Sequence, residues 1–266
     1  MAPSEEETKP ENIDEYKDWL EREHEVIIDE ANPNYYDSVT MTIKKSFESS
    51  PFWTELLNNL NLYSQEYTLE KREKLLLSIA PPELLMKSFD SFFLKTYRKN
   101  VLENSLYPNE PENGWILPNN WHSQITDTVR TMFVVKYLDG VEFFTEKIRE
   151  LSEIHDKKCD ISLEAREEGY YAAHINLHDI FEIPKRNWDT EKIESSIEIK
   201  VTTQLQEAIM KLLHKYYDER RKRLKKEERV WQWNYRSDEF SANYLGHILH
   251  YVEGMIMEIR EKQRKG

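Results

Sequence analysis

The run Ile197-Glu198-Ile199-Lys200-Val201-Thr202 alternates strictly between apolar and polar residues, and it constrains the fold more than any other stretch of the chain. Successive side chains of a strand point to opposite faces. Ile197, Ile199 and Val201 therefore fill one face, while Glu198, Lys200 and Thr202 line the other. An apolar sheet face has to be covered by a second layer, and the surrounding sequence offers helices for that purpose.

Further strands are expected at Val129 to Tyr137, Cys159 to Ala165 and Tyr170 to Leu177, where β-branched and aromatic residues concentrate, with the alternating segment itself spanning Ile193 to Thr202. Helical spacing appears in Val141 to Ile154, in Gln204 to Glu228, and in Ser237 to Glu261, where Phe240, Tyr244, Ile248, Val252, Met255 and Ile259 recur every three or four residues. Tyr16, Trp19 and Leu20, then Phe52, Trp53, Leu56 and Leu60, then Phe89, Phe92, Phe93 and Tyr97 mark helices earlier in the chain. The reading is an α+β fold: a mixed sheet of four to five strands flanked by helices, with a helical N-terminal region and two long C-terminal helices. It divides the chain into an acidic disordered tail at 1–12, a helical region at 13–106, a Pro- and Asn-rich loop at 107–121, an α+β core at 122–230 and a C-terminal helix at 231–266.

Charge narrows the choice of partners. The formal net charge of −13 argues against indiscriminate nucleic-acid binding, but residues 1–30 hold 12 acidic residues against Lys9, Lys17 and Arg22. Lys215 to Lys226 carries seven basic and two acidic residues; it reads as a solvated helix face or as a contact for the phosphates of a nucleotide or, through Arg220, Arg221, Lys222 and Arg223, of an RNA. No apolar run approaches the roughly 20 residues that span a bilayer. The N-terminus also lacks the basic and apolar regions of a secretory signal, so a cytoplasmic protein with no membrane partner is expected. The single cysteine, Cys159, reads as a buried spectator thiol.

Polar residues on otherwise core-like elements mark where chemistry belongs. Asp127 and Arg130 stand at the mouth of one strand, where they either pair with each other, cap an element or serve a site. His174 and His178 share a strand face and read as satisfied structure more readily than as a metal site. His247, His250 and Glu253 read as packing rather than metal ligands, and Trp231 to Tyr235 as a packed corner. Asp127 and Glu198 give two carboxylates on separate strands, and two carboxylates with substrate phosphates are a common way of holding Mg²⁺.

The order DTVRTMFVVKYLDGVEF, then GYYAAH, then EIKVTTQLQEAIMKLLHKYYDERR resembles the synthetase domain of the RelA/SpoT family over about residues 95–220. That family moves pyrophosphate from ATP to the 3'-hydroxyl of a guanine nucleotide, making the alarmone (p)ppGpp, and some members are toxins that modify the 3' end of tRNA. The resemblance implies a Mg²⁺-dependent transferase in which Asp127 binds the metal and Glu198 completes the metal site or takes the acceptor's proton. It implies that Tyr170 stacks on the acceptor base and that His174 orients the acceptor or its phosphates. Arg130, Lys95, Arg98, Lys99, Lys136 and Lys200 become the candidate phosphate-binding cations. The sequence departs from the family at Tyr171, where a basic residue is usual, and at Thr202, where an arginine is usual. The hydrolase domain of the long family members is not expected.

The expected function is thus ATP-dependent pyrophosphate transfer to GDP or GTP. The alternatives are the same chemistry on the tRNA 3' end, and a catalytically degenerate module that binds nucleotide or protein. A second copy of the chain or an antitoxin is the macromolecular partner these readings suggest.

Overall fold

A computed structural model describes residues 9–185, 189–212 and 231–265. Residues 1–8 of the expected tail and the basic run with Arg220, Arg221, Lys222 and Arg223 lie outside the described residues. The chain forms two compact units that interleave in sequence: residues 1–46, 86–129 and 180–196 in the first, and residues 47–85, 130–179 and 197–266 in the second.

The first unit is built on α1 (Ile13–His24), most of α2 (Ala31–Glu48), α4 (Phe89–Tyr97) and the short α5 (Trp121–Gln124). Asn12 starts α1 by accepting from the amides of Asp14 and Glu15, which fills orphan donors of the first turn. Aromatic packing sets α4 in place: the Tyr16 ring lies 5.3 Å from Phe93 and 5.1 Å from Tyr97. At the π turn Arg98–Leu102 that continues α4, the fully buried Asn100 amide donates to the Tyr16 hydroxyl at 2.8 Å and to the Ile116 carbonyl at 2.9 Å. These bonds fix the helix whose exposed side presents Lys95.

The second unit holds α3 (Pro51–Lys71), α6 (Leu138–Ile154), α7 (Asp238–Lys265) and the body of a mixed five-stranded sheet. Its strands are β1 (Leu85–Met86), β2 (Val129–Val135), β3 (Cys159–Ala165), β4 (Tyr171–Pro184) and β5 (Thr190–Thr203), in the order β1-β2-β5-β4-β3. β3 runs antiparallel to β4, with Ser162 opposite His174 and Glu164 opposite Ala172. Ile197, Ile199 and Val201 are fully buried, as the alternation requires, and Glu198 and Lys200 are half-buried. Phe133 of β2 meets Phe144 of α6 edge to face at 4.8 Å, tying the apolar face to its helical cover. Residues 204–212 are helical, as read; the rest of that expected helix lies outside the described residues. Among the described residues no helix is long and apolar enough to cross a membrane.

Some local expectations change. Thr202, placed on the polar face, is fully buried, and its hydroxyl donates to the Tyr171 carbonyl at 3.2 Å, so it is covered rather than open to a cleft. In the corner Trp231 to Tyr235, Trp231 leans on Tyr244, but Trp233 is 85% exposed and Tyr235 is also exposed. Cys159 is half-buried, and burial pushes its thiol up.

Candidate active site

Each unit brings together some of the candidate residues in a charged cluster. In the first, Asp127 sits just ahead of β2 with its carboxylate bridged by two ammonium groups: Lys87 holds Oδ2 and Lys95 holds Oδ1, each at 2.9 Å. Burial alone would raise the Asp127 pKa, but the charges and hydrogen bonds of Lys95 and Lys87 outweigh it and hold the carboxyl well below the usual carboxylate range. Asp127 is therefore an ionised oxygen donor at neutral pH. Nearby on the π turn, Lys99 is pushed down by withdrawal of its ammonium from water and by the charge of Lys95. Arg98 is spent on Glu103. The alternative in which Asp127 pairs with Arg130 is not what the chain adopts.

In the second unit, β4, β5 and β3 assemble a line of hydrogen bonds. His174 Nδ1 lies 2.8 Å from Glu198 Oε1, and His174 Nε2 lies 2.8 Å from the Tyr170 hydroxyl. A carboxylate can only accept, so Nδ1 carries the proton of the neutral ring and Nε2 accepts from Tyr170. Among the described residues, the Arg166 guanidinium and the Lys200 ammonium face the Tyr170 ring, at 5.1 Å and 5.2 Å from its centre. Glu164 holds Arg166 at 2.5 Å and lies 3.5 Å from His174 Nε2. Arg130 occupies a half-buried position on β2, the strand beside β5, and among the described residues its side chain has no hydrogen-bond or ion-pair partner.

Asp127 and Lys95 thus come together, as do Tyr170, His174, Glu198 and Lys200. Lys136 joins neither cluster. It stands past the far end of β2 from Arg130, roughly 20 Å away at the rise of a strand, and is paired with Glu73 at 2.9 Å. His178 contacts Asp160 at 2.7 Å instead of a metal. Sequence reading missed Lys87, Arg166 and Glu164. Arg166 and Glu164 had a local signal in the charged run just ahead of Gly169-Tyr170; Lys87 had none, because 40 residues separate it from Asp127.

Among the described residues no group of three or more His, Cys, Asp and Glu side chains is arranged to hold a metal ion. A Mg²⁺ ion that takes most of its ligands from substrate phosphates and water needs only one or two carboxylates; Asp127 is an ionised carboxylate, and Lys87 and Lys95 would have to give up its oxygens for it to serve as one.

No family model matches the sequence, and no curated protein does. Solved structures do match the fold. The small alarmone synthetase 1 of Bacillus subtilis, in a structure bound to its product pppGpp, aligns with a TM-score of 0.52 at 14% identity, covering 83% of this chain and 97% of that one. The small alarmone synthetase 2 of the same organism aligns with a TM-score of 0.51 at 15% identity, covering 85% of this chain and 98% of the other. The chain has the RelA/SpoT-type α+β fold of the small alarmone synthetases.

Proposed function

We propose that the protein is an ATP-dependent pyrophosphokinase that transfers the terminal pyrophosphate of ATP to the 3'-hydroxyl of a guanine nucleotide, in the manner of a (p)ppGpp synthetase. The observation that carries this reading is the line Tyr170, His174, Glu198, flanked by Arg166 and Lys200, on the polar side of a sheet with this fold.

In this reading each group has a task. Tyr170 offers its aromatic face to the acceptor base, a contact worth about 1–3 kcal/mol. Glu198 takes the proton of the attacking hydroxyl, and His174 keeps the Glu198 carboxylate oriented through Nδ1. The hydroxyl oxygen forms its bond to the β-phosphorus of ATP as the bond from that phosphorus to the bridging α-oxygen breaks, and AMP leaves. Such transfer depends mainly on positioning and on neutralising phosphate charge. Lys99, and Lys87 and Lys95 on exchanging Asp127 for substrate, would meet phosphate oxygens in the first unit, and Arg130, Arg166 and Lys200 provide positive charge in the second unit. Asp127 would hold Mg²⁺, which when bound neutralises charge on the ATP phosphates.

A second reading, transfer to the 3' end of tRNA, draws on one specific feature. At the two positions where the family usually carries a basic residue, Tyr171 has its hydroxyl engaged by His247 and Thr202 is fully buried. Neither position offers a positive charge to the phosphates of a free nucleotide. Release of AMP from ATP in the presence of Mg²⁺ and GDP, lost in Glu198→Gln, tests the first reading; transfer to tRNA but not to GDP would favour the second.

A further inference from the structure

The hairpin that carries Tyr170 is gripped by the last helix, through residues that have no part in the chemistry above. Gly169, at the hairpin tip, has φ of +75°, and a Cβ there would lie 2.3 Å from the Asn243 carbonyl oxygen. In return, a Cβ on Gly246 of α7 would lie 2.2 Å from the Gly169 carbonyl oxygen. Both contacts are backbone against backbone, so neither glycine can be replaced without moving the helix off the hairpin.

His247 follows directly and spans the same tip. Its Nε2 lies 2.8 Å from the Glu167 carbonyl and its Nδ1 lies 2.8 Å from the Tyr171 hydroxyl. A carbonyl only accepts, so Nε2 bears the proton of the neutral ring and Nδ1 accepts from Tyr171. Three residues further along α7, the His250 ring lies flat on Tyr171, with centroids 3.6 Å apart and planes 5° apart. The residues on either side of Tyr170 are therefore fixed by α7, while the Tyr170 ring itself is turned to Arg166, Lys200 and His174.

We propose that Gly246 and His247 are positioning residues for the acceptor: by clasping the hairpin at residues 167, 169 and 171 they hold the Tyr170 ring at the angle at which the acceptor base stacks. The inference rests on the reading of Tyr170 as the acceptor's platform. It requires that loosening the clasp weakens acceptor binding and leaves the transfer step and ATP binding largely intact.

The test is steady-state AMP release by the full-length protein, with GDP as the acceptor probe and ATP varied separately. His247→Ala and Gly246→Ala raise the KM for GDP about tenfold, with kcat and the KM for ATP within about twofold, the signature of lost binding common to ground and transition states. His247→Gln, whose amide nitrogen and oxygen can reach the same two partners, restores most of the loss. Tyr171→Phe removes a single hydroxyl, so it stays informative if Gly246→Ala does not fold; it raises the KM about threefold. The inference is overturned if Tyr170→Ala raises the KM for GDP while His247→Ala and Tyr171→Phe leave it unchanged, or if they lower kcat alone. Absence of GDP turnover in the parent protein, or an unchanged KM in Tyr170→Ala, instead removes the underlying reading of Tyr170, and the inference with it.

Discussion

His174 donates through Nδ1 to Glu198 Oε1 at 2.8 Å, and that one proton leaves Nε2 to accept from the Tyr170 hydroxyl. If Glu198 takes the acceptor's proton, the carboxamide of Glu198→Gln keeps the shape and loses the base. We expect kcat to fall by about 10²- to 10⁴-fold, with an unfolding temperature close to the parent's. His174→Ala should fall by a similar factor. The double variant should be little worse than either single one, because the two residues act as a unit; additive losses would separate their roles.

Asp127 is held between Lys87 and Lys95. Asp127→Asn removes the carboxylate charge that the two largely covered ammonium groups share, and we expect a loss of about 2–4 kcal/mol in urea unfolding together with loss of Mg²⁺-stimulated AMP release. Because the folded-state pKa of Asp127 is depressed, its contribution is fully present above the unfolded value of about 3.9 and is lost as pH falls toward the folded value. The stability difference between parent and Asp127→Asn should therefore be constant near neutral pH and shrink in strong acid.

His122 gives stability a second pH dependence, in a milder range. Its ring is stacked on Tyr36 at 5.4 Å, neither ring nitrogen has a hydrogen-bond partner among the described residues, and burial pushes its pKa from 6.5 down to about 4. The unfolded chain takes up this proton below about pH 6.5, while the folded chain resists until about pH 4. Stability should thus be full above pH 6.5 and decline by about 3 kcal/mol toward pH 4. His122→Phe, which keeps the stacking and has nothing to protonate, should flatten this part of the curve in chemical unfolding measured across that range.

Phe144 is fully buried against Phe133. Truncation to Ala should cost about 3–5 kcal/mol, measured by urea unfolding. Leu163→Ala, at a residue 76% exposed on β3, should stay within about 0.5 kcal/mol of the parent.

Elements with strict periodicity were legible in the sequence. β3 occupies Cys159–Ala165 as read, and the Ile197 to Val201 alternation correctly placed Glu198 and Lys200 on the less buried side of β5. Boundaries were harder to place. β4 runs on to Pro184, past Leu177, because Phe181 and Ile183 continue the buried alternation beyond the polar His178-Asp179 pair. α6 begins at Leu138, ahead of Val141, since Asp139 and Gly140 are accommodated in its first turn.

Within the candidate site, Tyr170, His174 and Glu198 were legible as candidates because their order along the chain resembles a family pattern. The partners that set their geometry could not. Lys87 reaches Asp127, and His247 reaches Tyr171 from 76 residues away; contacts between distant segments leave no local period to read. Lys136 illustrates the converse. Its place next to β2 made it a candidate, yet the strand carries it away from Arg130 and into an ion pair with Glu73.

The most direct test of pyrophosphate transfer follows the label from ATP marked on its γ-phosphate, incubated with the protein, Mg²⁺ and either GDP or total tRNA, with Glu198→Gln run in parallel. The proposed function predicts label on a guanine nucleotide, AMP released in equal amount, and neither product with Glu198→Gln. Absence of label from the guanine nucleotide, whether or not tRNA is labelled, or equal transfer by Glu198→Gln, would contradict it.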